Sequence, residues 1–147
     1  MNRALLFLLV FVSSQAFCEE INLLYFSLSQ KEIHSEGSII YYSDSLSNLD
    51  KHNYISIEGW NYDSKNKEYK HYCFVKIGNT IHKLISVRRT EEESKTKSIF
   101  KNDTVSLIIE TKYFKKMSHE SYYIKGNLTL ISGKSRESHD IFGLVKV

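Results

Sequence analysis

Hydrophobic and polar residues alternate along most of the chain, in short apolar runs separated by polar turns. Alternation with a period of two is the pattern of strands, and Val, Ile, Tyr and Phe, which dominate these runs, favour strands. The predicted strands are Ile21–Leu28, Ser38–Ser43, Tyr54–Tyr62, the two arms of Tyr69–Val87, Thr104–Phe114, Tyr122–Ile131 and Asp140–Val147. The pattern predicts a single-domain, all-β protein: an antiparallel β-sandwich or a small β-barrel of about eight strands, with at most one short helix.

The clearest predicted element is the hairpin Tyr69–Val87, whose two arms meet at a glycine–asparagine pair. A three-residue loop pairs Ile77 with Ile81 and gathers most apolar side chains on one face. A two-residue loop pairs Val75 with His82 instead. Such a one-residue slip exchanges the two faces of a strand. We favour the three-residue loop because it buries more apolar surface.

One segment, Arg88–Lys101, carries helix signals instead of alternation. Thr90, with Glu93 three residues later, has the spacing of an N-terminal capping box. Glu91 and Lys95 form a favourable i,i+4 pair. Apolar residues come only at the end of the segment, so a helix here would have no stripe to dock on a core. We predict a short surface helix or a mobile charged loop.

Residues 1–18 have the pattern of a secretory signal peptide: a basic start, an unbroken apolar run and small residues before a cleavage point. The apolar run is too short to span a bilayer. Cleavage after Cys18 leaves a domain of residues 19–147 with a lone thiol, Cys73. Cleavage after Ala16 would instead allow a Cys18–Cys73 disulfide. We favour the first cleavage point and predict no disulfide.

The same N-terminal pattern predicts export, to the periplasm or the medium, with no transmembrane segment in the mature chain. The chain contains no proline and is rich in lysine, serine, isoleucine, asparagine and tyrosine. This composition is typical of an AT-rich genome, and we predict a bacterial source.

The charge of the chain is nearly balanced, with a formal net value of +3. A value this small does not indicate a dedicated polyanion partner, and we predict no nucleic-acid binding. Lys112–Lys116 mixes basic and aromatic residues, and such stretches can bind single-stranded nucleic acid by stacking and phosphate contact. In an exported protein, a solvated strand end or contact with anionic glycan or lipid headgroups fits this stretch better.

Histidines and cysteines are the candidates for metal binding or catalysis. His71 and Cys73 share a strand face, and His82 joins them only under the two-residue register. A metal site of these three residues is therefore a weak alternative to no metal. Cys73 with a neighbouring histidine is the one seed of a cysteine nucleophile, and no Gly-x-Ser-x-Gly elbow is present. We predict no catalytic residue, no metal and no cofactor.

Aromatic residues supply the predicted binding surface, because tyrosine and tryptophan concentrate at interfaces. Trp60 and Tyr62 are the first candidates, since Gly59 in mid-strand indicates a bulge or a close backbone approach. Tyr41 and Tyr42 are the second pair, and as neighbours on one strand they must face opposite sides. We predict that these four aromatic side chains bind the partner.

These observations predict an exported, periplasmic, non-catalytic binding protein of the inhibitor or immunity-protein type, which recognises a protein or a glycan. One alternative is a secreted oligomeric binding subunit, because the strand pattern resembles the OB-like barrel of pentameric toxin B subunits. That likeness is one of architecture and carries no functional residue. A second alternative is a small hydrolase that uses Cys73 or a histidine.

Overall fold

The computed structural model describes residues 21–147, so the predicted signal peptide and Cys18 lie outside the described residues. The described backbone forms nine strands and two short helices, one helix more than the sequence predicted. The strands are β1 (Leu23–Leu24), β2 (Ile39–Ser43), β3 (Ser56–Asp63), β4 (Glu68–Ile77), β5 (Thr80–Glu92), β6 (Lys95–Lys101), β7 (Val105–Lys116), β8 (Ser121–Ser132) and β9 (Ser135–Lys146). The helices are α1 (Gln30–Ile33) and α2 (Leu46–Asp50). Among residues 21–147, neither helix is long and apolar enough to cross a bilayer.

Eight of the strands, β2 to β9, close into an antiparallel barrel. Each strand pairs with the next one along the chain, and β9 pairs back with β2. This sequential order is an up-and-down meander. The predicted all-β antiparallel fold is confirmed, and of the two predicted architectures the chain adopts the barrel. OB barrels have five strands in a Greek-key order, so the predicted likeness to toxin B subunits does not extend to the topology.

The inside of the barrel is filled by side chains that project inward at every second position of each strand. Those of the interior core with at most 2 % of their surface exposed are Tyr42, Cys73, Val75, Leu84, Phe100, Leu107, Ile109, Leu128, Leu130 and Ile141. An eight-stranded barrel is just wide enough for such filling. Empty space is therefore expected near the ends of the barrel.

A second core covers the outer face of β2, β3 and β4. It consists of apolar residues from α1, α2, the N-terminal segment, the chain before β3 and the outer face of β2, β3, β4 and β9: Phe26, Ile33, Ile39, Tyr41, Leu49, Tyr54, Ile57, Tyr72 and Leu144. A serine caps each helix, because the Ser29 hydroxyl accepts the Glu32 amide at 3.3 Å and the Ser45 hydroxyl accepts the Asn48 amide at 3.2 Å. With both of its faces covered, β2 is buried along its whole length.

The N-terminal segment packs at one end of the barrel. Ile21 is 6 % exposed and belongs to the interior core, and the Asn22 carbonyl accepts the Gly78 amide at 2.9 Å. A bridge between Phe26 and Tyr54 fixes the segment to the chain before β3. The opposite end of the barrel carries turns 64–67, 93–94 and 117–120. We call that end the mouth.

The register of the β4–β5 hairpin differs from the favoured prediction. Ile77 pairs with Thr80 and Val75 pairs with His82, so the loop has two residues and not three. Gly78 adopts a φ of +56°, at the position where a type II′ turn places glycine.

The prediction failed because it assumed that β4 has a single buried face. Cys73 and Val75 are fully buried inside the barrel, whereas Tyr72, on the opposite face, is 1 % exposed in the outer core. The Lys83 ammonium also lies over the Tyr72 ring, 4.3 Å from its centroid. Because both faces of β4 bury apolar side chains, the apolar area buried on one face does not determine the register of the hairpin. The geometry of the turn determines it.

Arg88–Lys101 is neither a helix nor a loop but the β5–β6 hairpin, so that prediction is wrong. The chain turns at Glu93, whose φ is +51°, and pairs Arg89 with Ser98. An i,i+4 charge pair contributes only about 0.2–0.5 kcal/mol. Burying Phe100, which is fully enclosed, is worth roughly 1.5–3 kcal/mol in addition to the strand pairing on both sides of β6.

Candidate functional site

The mouth contains two adjacent voids of about 310 and 330 Å³. Both are lined by Ile40, Arg89, Tyr122 and Val145, which come from four different strands. Concave sites of a few hundred Å³ with an apolar wall and a few convergent polar groups are typical ligand sites. The mouth is therefore the candidate functional site.

Trp60 forms part of the wall of the second void. Its ring stacks on the His71 imidazole with centroids 4.3 Å apart and planes 5° from parallel. The Arg89 guanidinium carbon lies 5.6 Å from the centroid of the same ring, in a cation–π contact. The predicted residue Trp60 thus lies at the mouth, where both contacts restrict its ring.

Beneath Trp60, a carboxylate is buried inside the barrel. Glu58 is 0 % exposed, and its Oε1 accepts a hydrogen bond from the Tyr42 hydroxyl at 2.5 Å. Its Oε2 lies 2.7 Å from His71 Nε2 and 3.8 Å from the Arg89 guanidinium. A buried carboxylate is stable only when partners of this kind compensate its lost hydration.

The imidazole of His71 is enclosed by this network. Its ring also meets Phe100 edge-on, with centroids 4.7 Å apart. Within the described residues, His71 Nδ1 is the only buried side-chain nitrogen or oxygen without a hydrogen-bond partner. Since Nε2 is engaged by Glu58, the ring is oriented by its surroundings and does not line either void.

Arg89 reaches the mouth because β5 contains an irregularity. The register of β5 against β6 shifts between Ser86 and Arg88, and a bulge of this kind re-aims the following side chains. The Arg89 guanidinium donates to the Ser98 hydroxyl at 3.2 Å and lies 2.8 Å from the Glu91 carboxylate. Its side chain is 30 % exposed, so it is held in place and still accessible.

Tyrosines form the rim of the mouth. Tyr62 and Tyr69 pair across β3 and β4 with ring centroids 5.2 Å apart. Tyr69 is 64 % exposed and lines the second void, and Tyr62 is 42 % exposed. On the other side, Tyr113 and Tyr122 line the first void with centroids 6.0 Å apart.

The four predicted binding residues occupy three different environments. Trp60 and Tyr42 line the voids, and Tyr62 lies at the rim. Tyr41 faces the outer core, where its ring lies 4.6 Å from that of Tyr54, so the structure does not bring it to the mouth. Arg89 lines both voids and was missed by the sequence analysis.

The candidate residues for metal binding and catalysis are engaged elsewhere. His82 lies opposite Val75, on the strand face of His71 and Cys73, yet residues 21–147 contain no group of three or more His, Cys, Asp or Glu arranged to hold a metal. The Cys73 thiol is fully buried 2.8 Å from the Ser56 hydroxyl. Burial, with the nearby Glu58 carboxylate, raises the pKa of this thiol well above its ordinary value.

A larger groove of about 760 Å³ lies on the outer side of β5 to β9. Its polar groups are exposed charged side chains, among them Lys97 and Glu110, which pair at 2.5 Å with side chains about half exposed. Exposed pairs of this kind contribute little to stability or orientation. The mouth is the stronger candidate because Arg89, which lines both of its voids, also lies beside the buried Glu58 carboxylate and over the Trp60 ring.

The chain matches none of the family models, curated proteins or solved structures with which it was compared. The candidate site is defined by the geometry of the mouth: a fixed Arg89 side chain, the wall formed by Trp60 and the exposed ring of Tyr69.

Alkaline solution is expected to destabilise the fold. Burial raises the pKa of Tyr54 to about 12 and that of Tyr42 and Cys73 well above their ordinary values. These groups keep their protons in the folded state beyond the pH at which they ionise in the unfolded chain. Their stabilising contribution is therefore complete below about pH 8 and is lost progressively as the pH rises from the unfolded pKa values near 9 and 10 towards the raised folded values.

Urea denaturation at pH 7 to 11 measures this effect. The free energy of unfolding should be level up to about pH 8 and then fall with increasing slope. In Cys73→Ala, the pH at which the free energy of unfolding begins to fall should move towards pH 10, because Tyr42 and Tyr54 are then the buried groups that ionise. A free energy of unfolding that is unchanged up to pH 11 would contradict the burial of these groups.

Proposed function

We propose that the chain is an exported, non-catalytic binding protein whose mouth recognises a protein segment or a glycan. The observation that carries the proposal is the position of Arg89. Its guanidinium lines both voids, is fixed by Ser98 and Glu91, and lies over Trp60. A fixed, partly exposed arginine at the centre of an aromatic wall is a common arrangement at binding hot spots.

The chemistry of the mouth restricts the ligand. Arginine has only donors, so a ligand group near Arg89 should be a hydrogen-bond acceptor such as a carbonyl, carboxylate or sugar hydroxyl. Tyr69 and Tyr122 offer ring surface with a polar tip, which suits an apolar side chain or the face of a sugar. The two voids together accommodate a side chain or a few sugar units, with the rest of the ligand on the rim.

The groups that a hydrolase of this chain was expected to use favour binding over catalysis, since neither Cys73 nor a histidine is among the residues that line the two voids. Cys73, Glu58 and His71 lie inside the barrel, and none of them is among the described residues that line the voids. A nucleophile or general base must come within hydrogen-bond reach of its substrate. The proposal also includes export of the protein, which the signal-peptide pattern of residues 1–18 supports.

A paired substitution at the rim tests the proposal. Tyr62→Ala/Tyr69→Ala removes two exposed rings that make few buried contacts, so we expect the melting temperature to stay within about 4 °C of the wild-type value. Binding should weaken at least about tenfold, as is usual for aromatic hot spots. Arg89→Lys keeps the charge but removes the fork of donors, and it should also weaken binding.

The binding assay uses the purified protein on a panel of defined oligosaccharides and, separately, quantitative capture of protein partners from one extract. Ile81→Ala is the matched control, because Ile81 is 43 % exposed and lies beside the turn at the opposite end of the barrel. A ligand that binds wild type and Ile81→Ala equally, but not the rim variant, supports the proposal. A ligand that the rim variant and Arg89→Lys bind as tightly as wild type does would refute it.

A further inference from the structure

The β7–β8 hairpin extends beyond the mouth. β6 pairs with β7 only as far as Lys112, so residues 113–116 have strand pairing on one side alone, to β8. The register shifts between Tyr113 and Lys115, which places a bulge at Phe114. We call residues 112–117 together with Lys125 the basic–aromatic tip.

Apolar side chains of the tip are exposed. Met117 is 57 % exposed, Tyr113 54 % and Phe114 38 %. The Phe114 ring contacts Phe142 of β9, with centroids 6.0 Å apart. Tyr113 faces the mouth beside Tyr122 and Phe114 contacts Phe142 on the outer side, so the end of the hairpin exposes apolar surface on both faces, and exposed apolar surface of this kind marks interaction sites.

The charge of the tip has one sign. Its four lysines include Lys125, whose ammonium lies over the Phe114 ring at 4.5 Å. In the part of the chain that the structure describes, none of these lysines forms an ion pair. The adjacent carboxylate of Glu110 is already paired with Lys97. The four lysines of the tip therefore carry positive charge that no ion pair among the described residues neutralises, and they lie beside apolar surface.

This combination fits a lipid surface better than a protein surface. The cores of protein–protein interfaces are depleted in lysine. At the surface of an anionic bilayer, aromatic rings are favourable at the depth of the headgroups, and lysines extend their ammonium groups to the phosphates. We propose that the basic–aromatic tip binds anionic phospholipid headgroups at a membrane surface.

The attachment would also orient the barrel. Tyr113 belongs to the tip and lines the first void together with Tyr122. A membrane-bound molecule would therefore hold its mouth close to the lipid surface. The proposal stands on the charge and exposure of the tip and does not depend on the ligand of the mouth.

Vesicle co-sedimentation tests the proposal. The purified protein, with its N-terminus established by intact mass, is mixed with vesicles of phosphatidylcholine alone or with 30 % phosphatidylglycerol. We expect binding to the anionic vesicles only, and weaker binding at high salt. Each lysine near an anionic surface contributes roughly a fivefold factor in affinity, so Lys115→Gln/Lys116→Gln should lower the affinity about 25-fold. Phe114→Ser/Met117→Ser should lower it as well, with the salt dependence retained.

Lys65→Gln/Lys67→Gln is the matched control, because it removes the same charge from another turn at the same end of the barrel. It should lower the affinity by less than about threefold, while circular dichroism shows that all variants keep the fold. Equal losses of vesicle affinity in the two lysine variants would show that binding depends only on the net charge of the protein. That result would overturn the proposal. Equal binding to neutral vesicles, or binding to a soluble anionic polysaccharide but not to vesicles, would overturn it too.

Discussion

Glu58→Gln is expected to lower the free energy of unfolding by about 3–5 kcal/mol, the usual loss when one partner of a buried charged network is removed. The carboxylate is fully enclosed and accepts hydrogen bonds at both oxygens, from Tyr42 and from His71. Glutamine has nearly the same shape, but its amide nitrogen donates. The amide nitrogen would then face either Tyr42 or His71, both of which donate to Glu58 in the wild type. That hydrogen bond would be lost inside the barrel, with no water to replace it.

The matched control for this change is Glu110→Gln. Glu110 also pairs with a cation, Lys97, but their side chains are 54 % and 48 % exposed. An exposed pair is worth about 0–1 kcal/mol, so the control should change the free energy of unfolding by no more than that. Urea denaturation of both variants at pH 7 gives the comparison. Equal effects would show that the Glu58 network does not stabilise the barrel.

A double-mutant cycle separates the network from simple packing. Tyr42→Phe removes one hydroxyl and should cost about 1–3 kcal/mol, because Glu58 Oε1 loses its donor. If the two side chains act together, Tyr42→Phe should cost much less in the Glu58→Gln background. Additive losses would indicate that the 2.5 Å contact contributes little.

The strands were predictable because the alternation of the sequence matches the inward and outward positions of the barrel. Val105, Leu107 and Ile109 on β7 all face the interior core, as expected. Closure was not predictable in the same way. It depends on pairing between β2 and β9, whose partners, such as Tyr41 and Leu144, lie about 100 residues apart in the chain. Local alternation is the same in an open sheet, a sandwich and a barrel.

The predictions failed where both faces of a strand are covered, or where the strand contains a bulge. Tyr41 and Tyr42 are both buried because the barrel interior takes one ring and the outer core takes the other. Arg89 faces the mouth only because the register shifts before it, and a bulge leaves no unambiguous trace in a single sequence. Glu58 and Trp60 are two residues apart on a predicted strand, so the sequence placed them on the same face. A glutamate on a predicted strand, however, is normally taken as solvent-exposed.

Gly126→Ala is expected to be the most damaging small substitution on the sheet. A Cβ at this position would lie 1.8 Å from the Glu110 carbonyl oxygen and 2.8 Å from Thr111 Cα, far inside the 3.0 Å that real Cβ atoms keep. Both contacts are with the backbone of β7, which no rotamer change can relieve. Strands β7 and β8 would have to separate in the middle of their ladder, where Thr111 pairs with Gly126.

The sign of the effect makes Gly126→Ala diagnostic. In a strand with ordinary φ and free space, alanine in place of glycine stabilises a protein by about 0.4–1 kcal/mol through the unfolded chain. Here we expect a loss of at least about 3 kcal/mol, a fall in melting temperature of roughly 10 °C or more. Gly59→Ala is the control, because its Cβ would meet only the Tyr72 side chain at 2.9–3.1 Å, at a cost of about 1–2 kcal/mol. A Gly126→Ala variant as stable as wild type would show that β7 and β8 do not approach as closely as the structure places them.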